Sequence, residues 1–579
     1  MFGKRARPWE DSGPPDQRLR HNVASMFLTN EISSVRTQSV FQDADASGAQ
    51  HVGDLAKVGR NGRLGKNLAR DLKRKLLKES AWPKPYVVQV RTWNAKRNRE
   101  ELRDVPVLLP HEIIFAIAED RSHRQPQNPT RTNNIPNKVT VACLLVNTFK
   151  DKPTAEHLLR QRLGAQDRGH LKRGCEDVGA DLSRSVGLGL WADGVPYNYD
   201  RSRSLDVFSL NVVGFSDPPF RDMRIPLVAL DHSHVLKGQT FDDLLEVLAW
   251  SFVCLGVGRF PTRRHDNSEF HPGSDQVRFR KGGSAVGFHG FLVECRGDWK
   301  MFKDVFRFPQ FNELSGICWL CNCTPHTWRC VDDAAPWRQN RLDHGAFLDR
   351  LRLKGVEPSP IFGSPGFRSS CFKPDWLHVV DLGVACDFLG NFLLLLSRRF
   401  PGAVHKTRVG SMWEDIQQWY QVNEVENRLD NLYPSMIQAN ARSPPKLRAK
   451  AAQARALVPY AAFAAHRLEV NKVGVLATAM AVELAACYAG LSALAFEHAQ
   501  LAFHSRRFCL AAVRMEAEHN GVLWRCKPKM HLFQELCEYH VDSPATFWTY
   551  RDEDFGGSMA QLARVRGGPR NPEIGRAHV

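Results

Sequence analysis

The chain has 579 residues, 43% of them hydrophobic and 10% aromatic. That excludes wholesale disorder and exceeds what one hydrophobic core usually serves, so two or three domains are expected. The 79 Lys and Arg against 62 Asp and Glu leave a formal +17, which favours a polyanionic partner, nucleic acid before a membrane surface.

Residues 1–55 are polar and lack apolar periodicity, the pattern of a flexible arm. No apolar run follows Met1-Phe2-Gly3-Lys4-Arg5, so export is not expected and the 14 cysteines should be reduced thiols. Residues 56–182 form a basic N-terminal region. From Lys57 to Lys78 its cations, Lys57, Arg60, Arg63, Lys66, Arg70, Lys73, Arg74, Lys75 and Lys78, stand against a single acid, Asp71. The run Asp71 to Lys78 reads as a helix with leucines on one side. It could contact DNA phosphates, serve as a nuclear import signal or be a solvated face. Trp82-Pro83-Lys84-Pro85 ends it, and Val105 to Ala118 begins another small folded unit.

Residues 183–378 carry the most informative periodicity. Val186 to Trp191 is a short apolar strand ending at Asp193, and Gly194, Pro196 and Asn198 supply a turn. Leu205 to Val213 alternates as a second strand and Ile225 to Leu230 forms a third. Thr240-Phe241-Asp242-Asp243 caps an amphipathic helix running to about Cys254. Gly290 to Cys295 is a fourth strand, with Asp298 just beyond it. Three strands, a helix and a strand, with an acid near the end of the first and just past the fourth, is the order of an α/β ribonuclease-H-like nucleotidyltransferase core. In that order the first and fourth strands are neighbours, which would bring Asp193 and Asp298 together. The plainer alternative is that Asp193 caps a turn and Asp298 caps a helix starting at Trp299.

Residues 379–525 read as an all-α insertion, with Ala-rich stretches at 448–468 and 474–517 and a capping-box pattern at Ser411-Met412-Trp413-Glu414. Gly474 to Phe496 is nearly long and apolar enough for a membrane span. Glu483 at its centre makes a buried helix the expectation, with no membrane partner. Residues 526–572 would return to the catalytic core. The last segment, Glu573-Ile574-Gly575-Arg576-Ala577-His578-Val579, has the sequence of a translated sequencing-library adapter. The natural chain is therefore expected to continue past Pro572.

Acids drawn from separate segments of a basic chain point to a divalent-metal site acting on phosphodiesters. Two such ions, roughly 3.5–4 Å apart, need shared carboxylates. Asp193 and Asp298 supply two, and Glu553 in Tyr550-Arg551-Asp552-Glu553-Asp554-Phe555-Gly556-Gly557 supplies the third. Glu483 is its competitor, with Glu535 and Asp552 weaker. Asp375-Trp376-Leu377-His378 places a His and an Asp one helical turn apart, either as a working pair or as a plain hydrogen bond. Cys318, Cys321, His326 and Cys330 have the ligand types for Zn²⁺, with His344 and Cys371 as further ligands and buried reduced thiols as the alternative.

With these motifs placed, residues 183–570 resemble the eukaryotic cut-and-paste DNA transposases of the CACTA type and the related Kyakuja–Dileera–Zisupton group. Four pieces carry the resemblance, in family order. They are Leu190-Trp191-Ala192-Asp193-Gly194, then Gly297-Asp298 followed by Cys318-Trp319-Leu320-Cys321. Asp375-Trp376-Leu377-His378 with Asp381-Leu382-Gly383-Val384 comes third, and Pro528-Lys529-Met530-His531 with Phe547-Trp548 and Glu553-Asp554-Phe555-Gly556-Gly557 comes last. Asp554 stands where the family has Arg, and Gly556 where it has Asn. The resemblance implies Asp193, Asp298 and Glu553 as holders of two Mg²⁺ ions, which Mn²⁺ can replace. His378 would orient a water or contact a phosphate, with Asp375 as its partner. It also implies a nuclear enzyme, acting as a homo-oligomer on double-stranded DNA at element ends and target. Strand cleavage would be followed by attack of the freed 3′-hydroxyl. The competing expectations are a catalytically inactive, domesticated DNA-binding protein on the same fold, a nuclease that cuts without joining, and a helical scaffold whose acids only cap turns.

Overall fold

The computed structural model describes residues 15–567 except 29–31, 59–66, 80–82, 120–162, 199, 215–223, 441, 468–473, 493–494 and 520–522. Arg60, Arg63, Lys66 and the segment 573–579 therefore lie outside the described residues, as do the side chains of Lys73, Arg74 and Lys78.

The N-terminal region is helical where a flexible arm is expected. Helices α1 (Pro15–Leu28), α2 (Ser34–Ala46) and α3 (Leu68–Glu79) share a small core of Phe27, Phe41, Leu55 and Leu72. Ser33 caps α2 by accepting from Arg36 N at 3.2 Å. Helices α1 and α2 each offer only a few apolar side chains and show no clear stripe, whereas α3 carries its leucines on one side, as its sequence predicts. The core exists only when the helices are assembled, so the described residues from 15 to 55 differ from the arm expected there. On α3, Leu68 and Leu72 are buried and Arg70 is exposed. Lys57 and Lys75 each have an acidic neighbour, Asp45 at 3.8 Å and Asp54 at 3.6 Å.

Next come a hairpin, β1 (Tyr86–Asn94) and β2 (Arg99–Val107), and helix α4 (Pro110–Glu119). The main sheet follows. Its strands are β3 (Ser185–Pro196), β4 (Ser204–Val212), β5 (Ile225–Asp231), β6 (His289–Arg296) and β7 (Phe372–Lys373), in the spatial order β5-β4-β3-β6-β7. The first three pair antiparallel, whereas β3 with β6 and β6 with β7 are parallel. Both faces are covered, which is why β4 is buried almost continuously rather than at alternate residues. Helix α5 (Ala165–Val178) packs Leu171 and Cys175 on Phe291 and Val293. Helix α6 (Thr240–Val257) joins Leu245, Leu248 and Phe252 to Leu188, Leu190 and Leu292. Each such side chain taken out of water contributes roughly 1.5–3 kcal/mol before chain entropy is charged. Helix α7 (Trp299–Phe306) starts directly after β6.

The chain then becomes helical. Helix α8 (Leu377–Ser397) begins as a π-helix over Leu377–Ala385. It is followed by α9 (His405–Val422), α10 (Ala451–Arg467), α11 (Val475–Ser492) and α12 (His498–Glu518). Ser411 lies inside α9 and caps nothing. Helices α8 and α11 are long and apolar enough to cross a membrane. Here they pack in the helical layer with their acids paired: Asp381 accepts from the Tyr488 and Tyr550 hydroxyls, and Glu483 pairs with His504 at 2.7 Å and with Arg507. The chain ends on α13 (Lys529–Gln534), which continues as a π-turn over Glu535–Tyr539, and on α14 (Tyr550–Gly567), which returns to the sheet.

Candidate active site

Strand β3 delivers the first acid. Trp191 and Val195 lie on the face covered by Met559, Ala560 and Ala563 of α14, and the period of the strand puts Asp193 on the same face. Helix α14 approaches this closely because residue 556 is glycine. A Cβ there would stand 2.9 Å from Val195 Cγ2 and 3.1 Å from Trp191 Cη2. Glycine at 556 is thus a packing feature of this chain. It lets the first turn of α14, which carries Glu553, rest over Asp193.

The start of α14 is also held electrostatically. Asp552 is fully buried between Arg224 and Arg296, with Arg296 Nη2 at 3.2 Å. Removing one member of such a buried pair strands a charge, at a cost of about 3–5 kcal/mol. Asp552 is therefore committed to the fold and is not a candidate ligand. The neighbouring residue, Glu553, points the other way.

His378 arrives on the π-helical turn that opens α8. Its Nδ1 lies 2.7 Å from Asp375 Oδ2, which also accepts from His378 N at 3.0 Å and from the Thr549 hydroxyl at 2.7 Å. Lys529 of α13 donates to the His378 carbonyl at 2.7 Å. The ring is thereby fixed, with Nε2 3.8 Å from Glu553 Oε1. Ligand atoms of Asp193, His378 and Glu553 lie within 4.8 Å of one another. The Asp375–His378 pair is a hydrogen bond within one helical turn, and its imidazole faces the acids.

Asp298 follows the parallel neighbour of β3. It caps α7, accepting from Met301 N at 2.6 Å, and it lines the same cleft as Asp193. Asp193 in turn accepts from Gly194 N at 2.7 Å. Each acid thus makes the local bond expected of a cap and still converges on the other. Glu483 does not enter this group. It lies in the helical layer, beside His504.

The electrostatics are those of crowded acids short of positive charge. Burial, then the charge of Asp298, pushes the Asp193 carboxyl up to about 6. Burial, then Asp193, pushes Glu553 up to about 8. Burial alone would discharge His378, but Asp375, Glu553 and Asp193 outweigh it and hold the imidazole up to about 9. Glu553 Oε1 is buried and accepts no hydrogen bond among the described residues. A buried acceptor left unsatisfied costs about 1–3 kcal/mol. A cation beside it would remove that cost along with the repulsion between the acids. The donor set, carboxylates with one imidazole, suits a hard divalent ion.

A second group differs from the expected ligand set. Cys318, Cys321, His531 and Glu535, all buried, bring their ligand atoms within 4.8 Å of one another. Cys321 Sγ is 3.4 Å from His531 Nε2, and Cys318 Sγ is 3.8 Å from Glu535 Oε1. His326 and Cys330 are not members. The chain turns after Cys323, exposing His326, and Cys330 lies beyond the turn with its carbonyl bonded by Trp337. His344 and Cys371 are also elsewhere, bonded to the backbone of Ser369 and Arg368. The other two ligands come instead from α13 and its π-turn. Their His-x-x-x-Glu spacing puts both on one helix face, a signal that was present in the sequence. Burial holds the Cys318 and Cys321 thiols well above their ordinary value. His531 Nδ1 is buried without a hydrogen-bond partner among the described residues. Arg341 Nη1 and Nη2, each at 2.8 Å, share the Glu535 charge. Two sulfurs, a nitrogen and an oxygen fit tetrahedral Zn²⁺.

No protein-family model and no curated protein matches the chain.

Proposed function

We propose that this chain is a DNA transposase, or a protein derived from one, that cuts and joins DNA strands in a metal-dependent reaction on a ribonuclease-H-like core. The observation that carries the reading is the meeting of Asp193, His378 and Glu553 from three distant segments, with Asp298 at the end of the strand beside Asp193. The sheet order β5-β4-β3-β6-β7, antiparallel then parallel, supports the core. The positive charge and the basic α3 support double-stranded DNA as partner and the nucleus as location. A homo-oligomer follows from the resemblance alone.

Asp193, Asp298 and Glu553 would hold two Mg²⁺ ions, or Mn²⁺ in their place. When bound, the ions supply Lewis acidity toward the phosphoryl oxygens and activation of the attacking hydroxyl. The chain's own residues do the rest. Asp375 and Thr549 fix the His378 ring, and Lys529 fixes its backbone. His378, cationic at neutral pH, stands ready to contact a phosphate oxygen. The Arg224–Asp552–Arg296 cluster holds Glu553 over Asp193. Such preorganised charge is the main source of rate in phosphoryl transfer. Cys318, Cys321, His531 and Glu535 would hold Zn²⁺ as a structural ion, replacing the His326 and Cys330 ligands expected from spacing.

The test is Mg²⁺-dependent cleavage of a DNA duplex by the full chain. Asp193→Asn and Glu553→Gln should each reduce cleavage by at least about 100-fold, the scale of losing one electrostatic contact to the transition state, with DNA affinity retained. Near-normal cleavage by either variant would remove that residue from the site. Cleavage without joining of a 3′-hydroxyl end would leave a nuclease.

A further inference from the structure

The cleft beside Asp193 and Asp298 continues away from Glu553, and its far wall holds a second carboxylate–histidine pair. Asp206 stands on β4 opposite Gly194. Its side chain is 4% exposed and accepts from His232 Nδ1 at 2.8 Å. His232 opens the single turn after β5, its side chain half exposed, and its Nε2 makes no hydrogen bond among the described residues. Lys300, from the first turn of α7, lines the same cleft and pairs with Asp304 at 3.0 Å. The cavity, of about 260 Å³, runs from Asp193 and Asp298 past Ser204 to His232 and Lys300.

We propose that this wall is a phosphate subsite. His232 Nε2 and Lys300 Nζ would bind the phosphodiester adjoining the one held at Asp193, Asp298 and Glu553, so that the strand crosses the ends of β3 and β6. The inference rests on the reading of the substrate as DNA. A buried carboxylate behind Nδ1 fixes the ring and turns Nε2 outward, where it is an N–H donor only while the imidazole carries both protons. Asp206 and Asp304 also line the cleft but are paired with His232 and Lys300, which leaves His232 Nε2 and Lys300 Nζ as the N–H donors of this wall for an anionic oxygen. The hydrogen bond from Asp206 raises the His232 pKa, and Asp304 adds to it. Burial and Lys300 oppose the shift. Asp231 and His234 flank the ring on its own segment, and Asp193 and Asp298 face it across the cleft.

The experiment measures affinity of the full chain for a fluorescent nicked DNA duplex, with Ca²⁺ in place of Mg²⁺, from pH 6 to 9. Wild-type affinity should fall as His232 loses its proton. His232→Gln should bind about tenfold more weakly at pH 6 and lose that part of the pH dependence, as expected for one charged hydrogen bond. His232→Arg should keep the affinity and also lose the pH dependence. Lys300→Ala should lower the slope of log affinity against log salt by about 1. Wild-type affinity and pH profile in His232→Gln would overturn the subsite. Cleavage is read on the same proteins. A wild-type chain that binds as described but never cleaves would retire the catalytic reading and leave the subsite, and a wild-type chain that fails to bind DNA would end both.

Discussion

Asp193, Glu553 and His378 titrate in one space, and the signs of their shifts make a prediction about stability. Both acids have folded values above their ordinary ones, about 6 and about 8. The folded state therefore holds protons that the unfolded chain releases, and stability falls as pH rises through that window. His378, held up to about 9, acts in the same direction: the stability it contributes is complete below its ordinary value and lost as pH passes about 9. The metal-free protein should lose thermal stability steadily between about pH 5 and pH 9, and millimolar Mg²⁺ should restore it most at the alkaline end. Glu553→Gln should flatten the profile and abolish the Mg²⁺ effect. Melting temperatures across that range, with and without Mg²⁺, check this. A profile that Glu553→Gln leaves unchanged would place the residue outside the cluster.

At the scale of elements, the Cys318–Cys321–His531–Glu535 group joins distant parts of the chain, which Arg338 and Arg341 also tie through Gln534, Glu538 and Glu535. Cys318 and Cys321 follow α7, while His531 and Glu535 lie on α13 and its π-turn, the element that also fixes the His378 backbone through Lys529. Chelation should therefore release one Zn²⁺ per chain and lower the melting temperature. Cys321→Ser should reproduce both effects, since structural zinc contributes its binding free energy to folding. Metal analysis that finds no zinc in the folded chain would leave the group as buried thiols. Here the sequence was only half legible. Cys318-x-x-Cys321 announced two ligands, but proximity along the chain suggested His326 and Cys330. The side chains that meet the cysteines, His531 and Glu535, are remote in sequence, and only the fold shows that α13 passes beside them. The strands were legible for a simpler reason. Runs such as Val186 to Trp191 and Gly290 to Cys295 are buried on both faces, and a short, continuous apolar run bounded by turns is the pattern such a strand must have. The hairpin β1–β2 gave no such signal because Arg99 to Asp104 of β2 is largely solvent-facing.

For the whole molecule, the proposed DNA partner would meet the basic charge of the helical N-terminal unit. Phosphate neutralisation makes binding salt-dependent in proportion to the contacts made. Replacing Lys57, Arg70 and Lys75 together by Gln should weaken binding to random-sequence DNA and lower the salt slope by about 2–3, leaving Mg²⁺ binding intact. An unchanged slope would assign α3 to import or to solvent. The small core of Phe27, Phe41, Leu55 and Leu72 was not legible in the sequence because its residues are scattered over separate helices, each too polar on its own to look folded. Asp193, Asp298 and Glu553 were readable because each sits at the end or start of an element and in a recognisable motif. Their convergence depends on the crossover that makes β3 and β6 neighbours and on the return of α14.

That convergence is the central claim, and it can be measured without any DNA. Fe²⁺ bound in place of Mg²⁺, with ascorbate and peroxide, generates hydroxyl radicals that cut the backbone near the ion. The cut sites should cluster around Asp193, Asp298, His378 and Glu553, and Asp193→Asn or excess Mg²⁺ should suppress all of them together. Cuts confined to one of these segments, or a pattern indifferent to Asp193→Asn, would contradict a single shared site.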